Sequence, residues 1–184
     1  MNDWVQRKPL RLQGYDYGRA GYYFVTICTA IRRENILAEI LPKSQPVGAA
    51  ALGGPSPIPA GLGPSDNLDI SLTPAGKIVK QYIENVNHVY NGHAGIDCYT
   101  IMPDHIHMVV WIRNLGDGPP RAAAPTVTLP GIVNAIKGLS SKKIGYPIWQ
   151  RGYYEHIIRG GADLQSIRQY ILDNPLKWIL NDKE

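Results

Sequence analysis

The sequence predicts an α+β domain: one four-stranded antiparallel sheet with helices on one face, plus a C-terminal helix. Three observations predict it. Strand-like and helical hydrophobic periods alternate along the chain in the order β, α, β, β, α, β, α. Two of the strand-like runs are neighbours, joined by a tight Pro-Asp turn that makes them a hairpin. Two of the helical runs open on threonine and proline, a combination that caps and starts a helix.

Taken in order, Gly21–Thr29 (GYYFVTICT) is β-branched and aromatic, the composition of a strand. Leu72–Val89 opens with Thr73-Pro74, then carries Ile78, Val79, Tyr82, Ile83 and Val86 at helical spacing. Ile96–Met102 and His105–Ile112 form the hairpin around Pro103-Asp104. Thr128–Ile144 places Leu129, Ile132, Val133, Ile136 and Leu139 on one helical face, with Pro130 and the hydroxyl of Thr126 or Thr128 near its start. Gly152–Arg159 (GYYEHIIR) is a short strand. Ala162–Leu180 is a helix with Leu164, Ile167, Tyr170 and Ile171 on one face, interrupted by Pro175. This order is the split βαβ pattern of ferredoxin-like domains, which by itself dictates no function.

The length of 184 residues fits one such domain, here 1–184, carrying interruptions. Much of the excess in 19 Gly and 15 Pro falls in two places. Residues from about 42 to 65 (PKSQPVGAAALGGPSPIPAGLGPS) and from about 114 to 125 (NLGDGPPRAAAP) have no period and little to bury, so both read as exposed, flexible insertions. Two cysteines, Cys28 and Cys98, cannot build a disulfide scaffold or a zinc cluster between them. No apolar run reaches the roughly 18 residues needed to span a bilayer, and the N-terminus has no secretory h-region. A cytoplasmic protein with no membrane partner is expected. The net charge of +4 divides into +4 over residues 1–33, −3 over 34–130 and +3 over 131–184. Basic ends around a mildly acidic middle suit a polyanionic partner.

The most specific motif is Met102-Pro-Asp-His-Ile-His-Met-Val-Val110. His105 and His107 are two apart on a strand, so both imidazoles leave the same face, about 7 Å apart at Cα. Two neutral nitrogens in that arrangement can converge on one metal ion; the competing reading is a pair of half-buried histidines bonded to backbone or water. The closing helix carries Tyr170-Ile-Leu-Asp-Asn174, where a four-residue spacing puts Tyr170 and Asn174 on one face. An amide oxygen suits a hard cation such as Mg²⁺ or Mn²⁺. Against this, a tyrosine on an apolar face belongs ordinarily to a core, and an Asn before Pro commonly ends a helix. The segment Trp149–Arg159 mixes Trp149, Tyr153 and Tyr154 with Arg151 and Arg159, the combination that holds single-stranded nucleic acid by stacking and phosphate pairing. Lys137, Lys142 and Lys143 add positive charge on or after the preceding helix.

In combination and order these motifs resemble the single-tyrosine HUH transposases, and more closely the REP-associated tyrosine transposases related to IS200-like elements. The resemblance runs from Tyr22-Tyr-Phe-Val-Thr26 through MPDHIHMVV and WQRGYYEHIIR to IRQYILDNPLKW. It implies a ferredoxin-like fold, a divalent Mg²⁺ or Mn²⁺ ion on the histidine pair, and a helical tyrosine that attacks a phosphodiester of single-stranded, hairpin-forming DNA. His105 and His107 match the HUH pair, Tyr170 the nucleophile, and Asn174 the third polar ligand. The resemblance further implies a covalent link to the 5′ phosphate with a free 3′ hydroxyl, and favours a monomer. Tyr153 and Tyr154 are rival nucleophiles; on a strand they face opposite ways, so at most one reaches the metal. Two other readings stay open: a catalytically silent binder of single-stranded or hairpin nucleic acid, and a metal-dependent phosphohydrolase that uses water.

Overall fold

The computed structural model describes residues 14–42, 68–113 and 127–181. Its elements are β1 (Gly21–Cys28), β2 (Ala38–Pro42), β3 (Leu68–Leu72), α1 (Pro74–Val89), β4 (Ala94–Ile101), β5 (His105–Ile112), α2 (Leu129–Ile144), β6 (Tyr154–Ile158) and α3 (Gly161–Asn181). The main sheet has the order β4-β5-β1-β6 with every neighbouring pair antiparallel, which is the expected ferredoxin-like α+β arrangement. Among the described residues no helix is long and apolar enough to cross a membrane.

The helix starts follow the sequence signals. Thr73 sits in extended backbone and its Oγ1 accepts from the Gly76 amide at 3.0 Å, with Pro74 at the first helical position. Of the two threonines considered for α2, Thr128 is the cap, accepting from the Gly131 amide at 3.2 Å. Gly145 closes α2 at φ 100°, a left-handed conformation that costs glycine nothing.

Alternation along β1 and β5 sorts the sheet into two faces. Tyr23, Val25, Ile27, Ile106, Met108 and Val110 bury into the main core with α1 and α2, where Ile83, Ile132 and Ile136 meet them. Phe24, Val109 and Ile158 turn to the opposite face and pack under α3 against Leu164, Ile167 and Ile171. Burying a side chain such as Ile171, 1% exposed, stabilises by about 1.5–3 kcal/mol. The two early helices thus share one face, and the C-terminal helix covers the other.

Two features differ from the sequence expectation. β2 and β3 pair as a separate antiparallel ribbon, Ala38 opposite Leu72 and Pro42 opposite Leu68, where no strands were expected. The interruption placed at 42–65 therefore leaves and returns through a paired ribbon. Apart from Pro42, which ends β2, that interruption and the one at 114–125 lie outside the described residues. The second difference is that Pro175 does not break α3, which runs through it from Gly161 to Asn181. An interior proline costs about 3 kcal/mol through its lost amide and steric clash; burial of Ile171 one turn earlier works against that cost.

Candidate active site

The sheet register assembles the site. Across its middle, Thr100, His107, Thr26 and Tyr154 stand in one row on β4, β5, β1 and β6, and residues directly opposite share a face. One row further, Cys28 stands opposite His105. α3 lies over these rows and brings down Tyr170 and Asn174. Together they enclose an open cleft of about 430 Å³ that both histidines, Tyr154, Tyr170 and Asn174 line.

The two imidazoles are fixed from behind. His105 Nδ1 bonds Asp104 Oδ1 at 2.6 Å, and His107 Nδ1 bonds Thr26 Oγ1 at 2.8 Å. With Nδ1 occupied on each ring, both Nε2 atoms point to one spot, 3.1 Å from each other. Two ligands about 2.1 Å from a common ion at right angles are about 3.0 Å apart, so the pair fits adjacent coordination positions. A carboxylate behind a ligating histidine fixes its tautomer and raises its basicity. The Thr26 hydroxyl can donate or accept. It lets His107 hydrogen-bond to His105 without an ion, and present its lone pair when one binds.

Both rings are held neutral, as ligands must be. Burial pushes His107 down to about 3, helped by His105 beside it. Burial also lowers His105, against the opposing pull of Asp104. Asp104 is only 1% exposed. Burial disfavours its charge, but donation from the Arg33 amide and from His105, with Arg32 nearby, holds the carboxyl below its usual range.

Asn174 supplies a third polar group. It is 8% exposed, lines the cleft, and has no side-chain hydrogen bond among the described residues. Its amide opens onto the cleft that both histidines line, and an amide oxygen suits a hard cation shared with them. Among the described residues no group of three His, Cys, Asp or Glu side chains is placed to hold a metal ion. Tyr170 is held by ring contacts: edge-on to Phe24 at 5.8 Å, against His107 at 5.4 Å, and under the Lys177 ammonium at 4.9 Å. Phe24 also stacks on His107 at 5.3 Å.

The remaining candidates separate. Tyr154 is 59% exposed at the cleft, whereas Tyr153 turns into the main core at 5%. Arg151 lies beside Tyr154 and Cys28 at the edge of the cleft. Three nucleic-acid candidates are engaged within the fold. Trp149 is buried and donates its indole N–H to Ser140 Oγ at 3.0 Å, leaving no stacking face. Lys137 spends its ammonium on the carbonyls of Gln150 and Gly152, both at 2.8 Å. Tyr153 belongs to the core for the reason given. Lys142 and Lys143 end α2 on the far side of the sheet, and Arg159 follows the end of β6 remote from Thr26.

Sequence reasoning missed Thr26, Arg32 and Asp104 as site residues. Asp104 carried one signal, a carboxylate directly before the first histidine, but it also suits a turn. Thr26 and Arg32 carry none until the strand register is known.

No family model matches the chain. An uncharacterised protein of Haemophilus influenzae (strain ATCC 51907 / DSM 11121 / KW20 / Rd) is 28% identical over 188 residues, covering 94% of this chain and 89% of that one. Among solved structures, a REP-associated tyrosine transposase bound to a REP hairpin superposes with a TM-score of 0.56 at 18% identity, over 91% of this chain and 73% of that chain. The two share a fold.

Proposed function

We propose that this chain nicks and rejoins single-stranded DNA through a covalent tyrosyl-DNA phosphodiester, as a transposase of the REP-associated tyrosine type. One observation carries the reading: the Nε2 atoms of His105 and His107 converge at 3.1 Å beneath the helix that presents Tyr170 and Asn174. A core pair of histidines would not need both Nδ1 atoms tied off and both Nε2 atoms aimed into a cleft. The fold shared with a hairpin-bound transposase supports the same reading.

His105, His107 and the Asn174 amide would hold Mg²⁺ or Mn²⁺. Such an ion supplies Lewis-acid polarisation of a phosphoryl oxygen and stabilises the charge that develops there. The chain's own residues do the rest. Phe24, His107 and Lys177 hold the Tyr170 ring at the cleft, which turns the attack into a positioned, effectively unimolecular step. A phenol is a weak nucleophile while it keeps its proton, so proton loss must accompany the attack. The Tyr170 oxygen then bonds phosphorus as the bond to the 3′ oxygen breaks. The phenolic proton passes to solvent and the departing 3′ oxygen takes up a proton. Rejoining reverses these steps with the 3′ hydroxyl of another end, and the conserved phosphodiester energy removes any need for ATP.

The test is a denaturing gel of protein, Mn²⁺ and a pool of hairpin-bearing single strands. The wild-type chain gives a slow-migrating covalent species, Tyr170→Phe abolishes it, and Tyr154→Phe keeps it. Failure of the wild type to form any adduct across the pool favours the silent binder. Strand cleavage that survives Tyr170→Phe favours water as nucleophile.

A further inference from the structure

The turn after β1 is built around a buried carboxylate. Asp104 gives its backbone carbonyl to the Thr29 amide and hydroxyl, each at 2.9 Å. Its Oδ1 bonds His105, and its Oδ2 accepts from the Arg33 amide at 2.9 Å and forms an ion pair with Arg32 Nε at 3.0 Å. To donate that amide, Arg33 adopts φ 64°, a left-handed backbone that costs a non-glycine residue of order 1 kcal/mol or more. Strain of this kind persists where the surrounding structure imposes it.

The turn delivers Arg32 to the cleft. Its Nε edge is fixed on Asp104 and its Nη1 donates to Cys28 Sγ at 2.8 Å, yet its side chain is 52% exposed and lines the cleft with both histidines and Tyr170. Its other guanidinium N–H groups have no partner among the described residues. A guanidinium serving only to neutralise Asp104 would gain nothing from standing at the cleft. Held on one edge, it is a preoriented fork for a tetrahedral oxyanion, with little side-chain entropy left to lose.

We propose that Arg32 binds the scissile phosphate, donating to a non-bridging oxygen on the Cys28 side of the histidine pair. Asp104 then orients two groups at once, His105 for the metal and Arg32 for the phosphate. The inference rests on the reading that the substrate is a phosphodiester. Arg32 makes no covalent bond; it stabilises charge on the phosphoryl oxygens, which grows as the group transfers.

The test first sequences the products of a degenerate hairpin pool to find the linkage that the wild-type chain nicks. That linkage is then synthesised as a methylphosphonate, which replaces a charged oxygen by a methyl group. Binding is measured by fluorescence anisotropy with Mn²⁺ on Tyr170→Phe protein, so no adduct forms. The methylphosphonate should weaken binding by about 10- to 100-fold, the range of a charge-assisted hydrogen bond. Adding Arg32→Ala should shrink that penalty to a few-fold, and Arg32→Lys, which keeps the charge and guards against misfolding, should fall between. Mn²⁺ affinity should stay within about twofold in both, because His105 keeps its bond to Asp104; a tenfold loss would make Arg32 a structural prop and overturn the proposal. An unchanged methylphosphonate penalty would overturn the Arg32 assignment while leaving DNA nicking intact. A pool that yields neither nicks nor binding would overturn both.

Discussion

Replacing Asp104 by Asn tests whether a carboxylate behind His105 sets the metal site. Two hydrogen-bond donors and an ion-pair partner face the Asp104 carboxylate: His105 at 2.6 Å, the Arg33 amide at 2.9 Å and Arg32 Nε at 3.0 Å. An amide of the same shape offers one acceptor oxygen and one NH₂. If its oxygen faces His105, the NH₂ meets two other donors. If it flips to satisfy Arg32 and Arg33, the NH₂ faces His105 Nδ1, which must then accept, and the ring proton moves to Nε2 where a metal would bind. The flipped state satisfies more bonds and should dominate. Metal binding must undo it, leaving donors opposed at a buried site, at a cost of about 1–3 kcal/mol. This corresponds to roughly 5- to 150-fold, overlapping the 10- to 100-fold typical of a lost outer-shell carboxylate. Calorimetric titration with Mn²⁺ reads the change, and circular dichroism melting checks that the variant folds. A folded Asp104→Asn chain with Mn²⁺ affinity within threefold of wild type would refute the reasoning.

Other outcomes follow from the packing and the charge pairs. Gly76 packs so closely on the segment just before β2 that a Cβ would lie 1.9 Å from the Leu37 carbonyl oxygen, so Gly76→Ala should destabilise by about 1–3 kcal/mol in thermal melts. An unchanged melting temperature would show that the segment before β2 yields freely. Asp97 anchors α3 to β4 by accepting two bonds from Arg168, at 2.7 and 2.5 Å, and chiefly that guanidinium lowers its carboxyl below the ordinary value. A folded-state value below the unfolded one means the stabilisation is full above about pH 4–5 and is lost as pH falls through the lowered value. Asp97→Asn should therefore melt below wild type at pH 7, and the two curves should converge in acid. A gap that persists at pH 2 would assign the effect to packing.

The sheet and its helices were legible because their signals are local. Thr73-Pro74 and the Ile78–Val86 period describe α1 without reference to any other segment, and Pro103-Asp104 marks the hairpin by itself. The β2–β3 ribbon was not legible. Its two arms are five residues each, β3 shows no clean alternation of exposure, and its partner lies across the Gly/Pro-rich segment. For the candidate site, spacing was enough to put His105 beside His107 and Tyr170 beside Asn174. It could not choose between Tyr153 and Tyr154, since either phase of a short strand is possible until pairing with Thr26 fixes it. Nor could composition separate a stacking Trp149 from a core one, or a phosphate-seeking Lys137 from one that holds two backbone carbonyls. Those distinctions depend on contacts made by residues distant in sequence.

Under the proposed function Tyr170, and no other tyrosine, becomes joined to DNA. Trypsin separates the candidates cleanly. Tyr170 falls in the peptide from Gln169 to Lys177, and both strand tyrosines in that from Gly152 to Arg159. Nuclease-trimmed adduct, digested and read by mass spectrometry, should carry the nucleotide mass on the Gln169–Lys177 peptide, with fragmentation placing it on Tyr170. The same mass on the Gly152–Arg159 peptide would contradict the account.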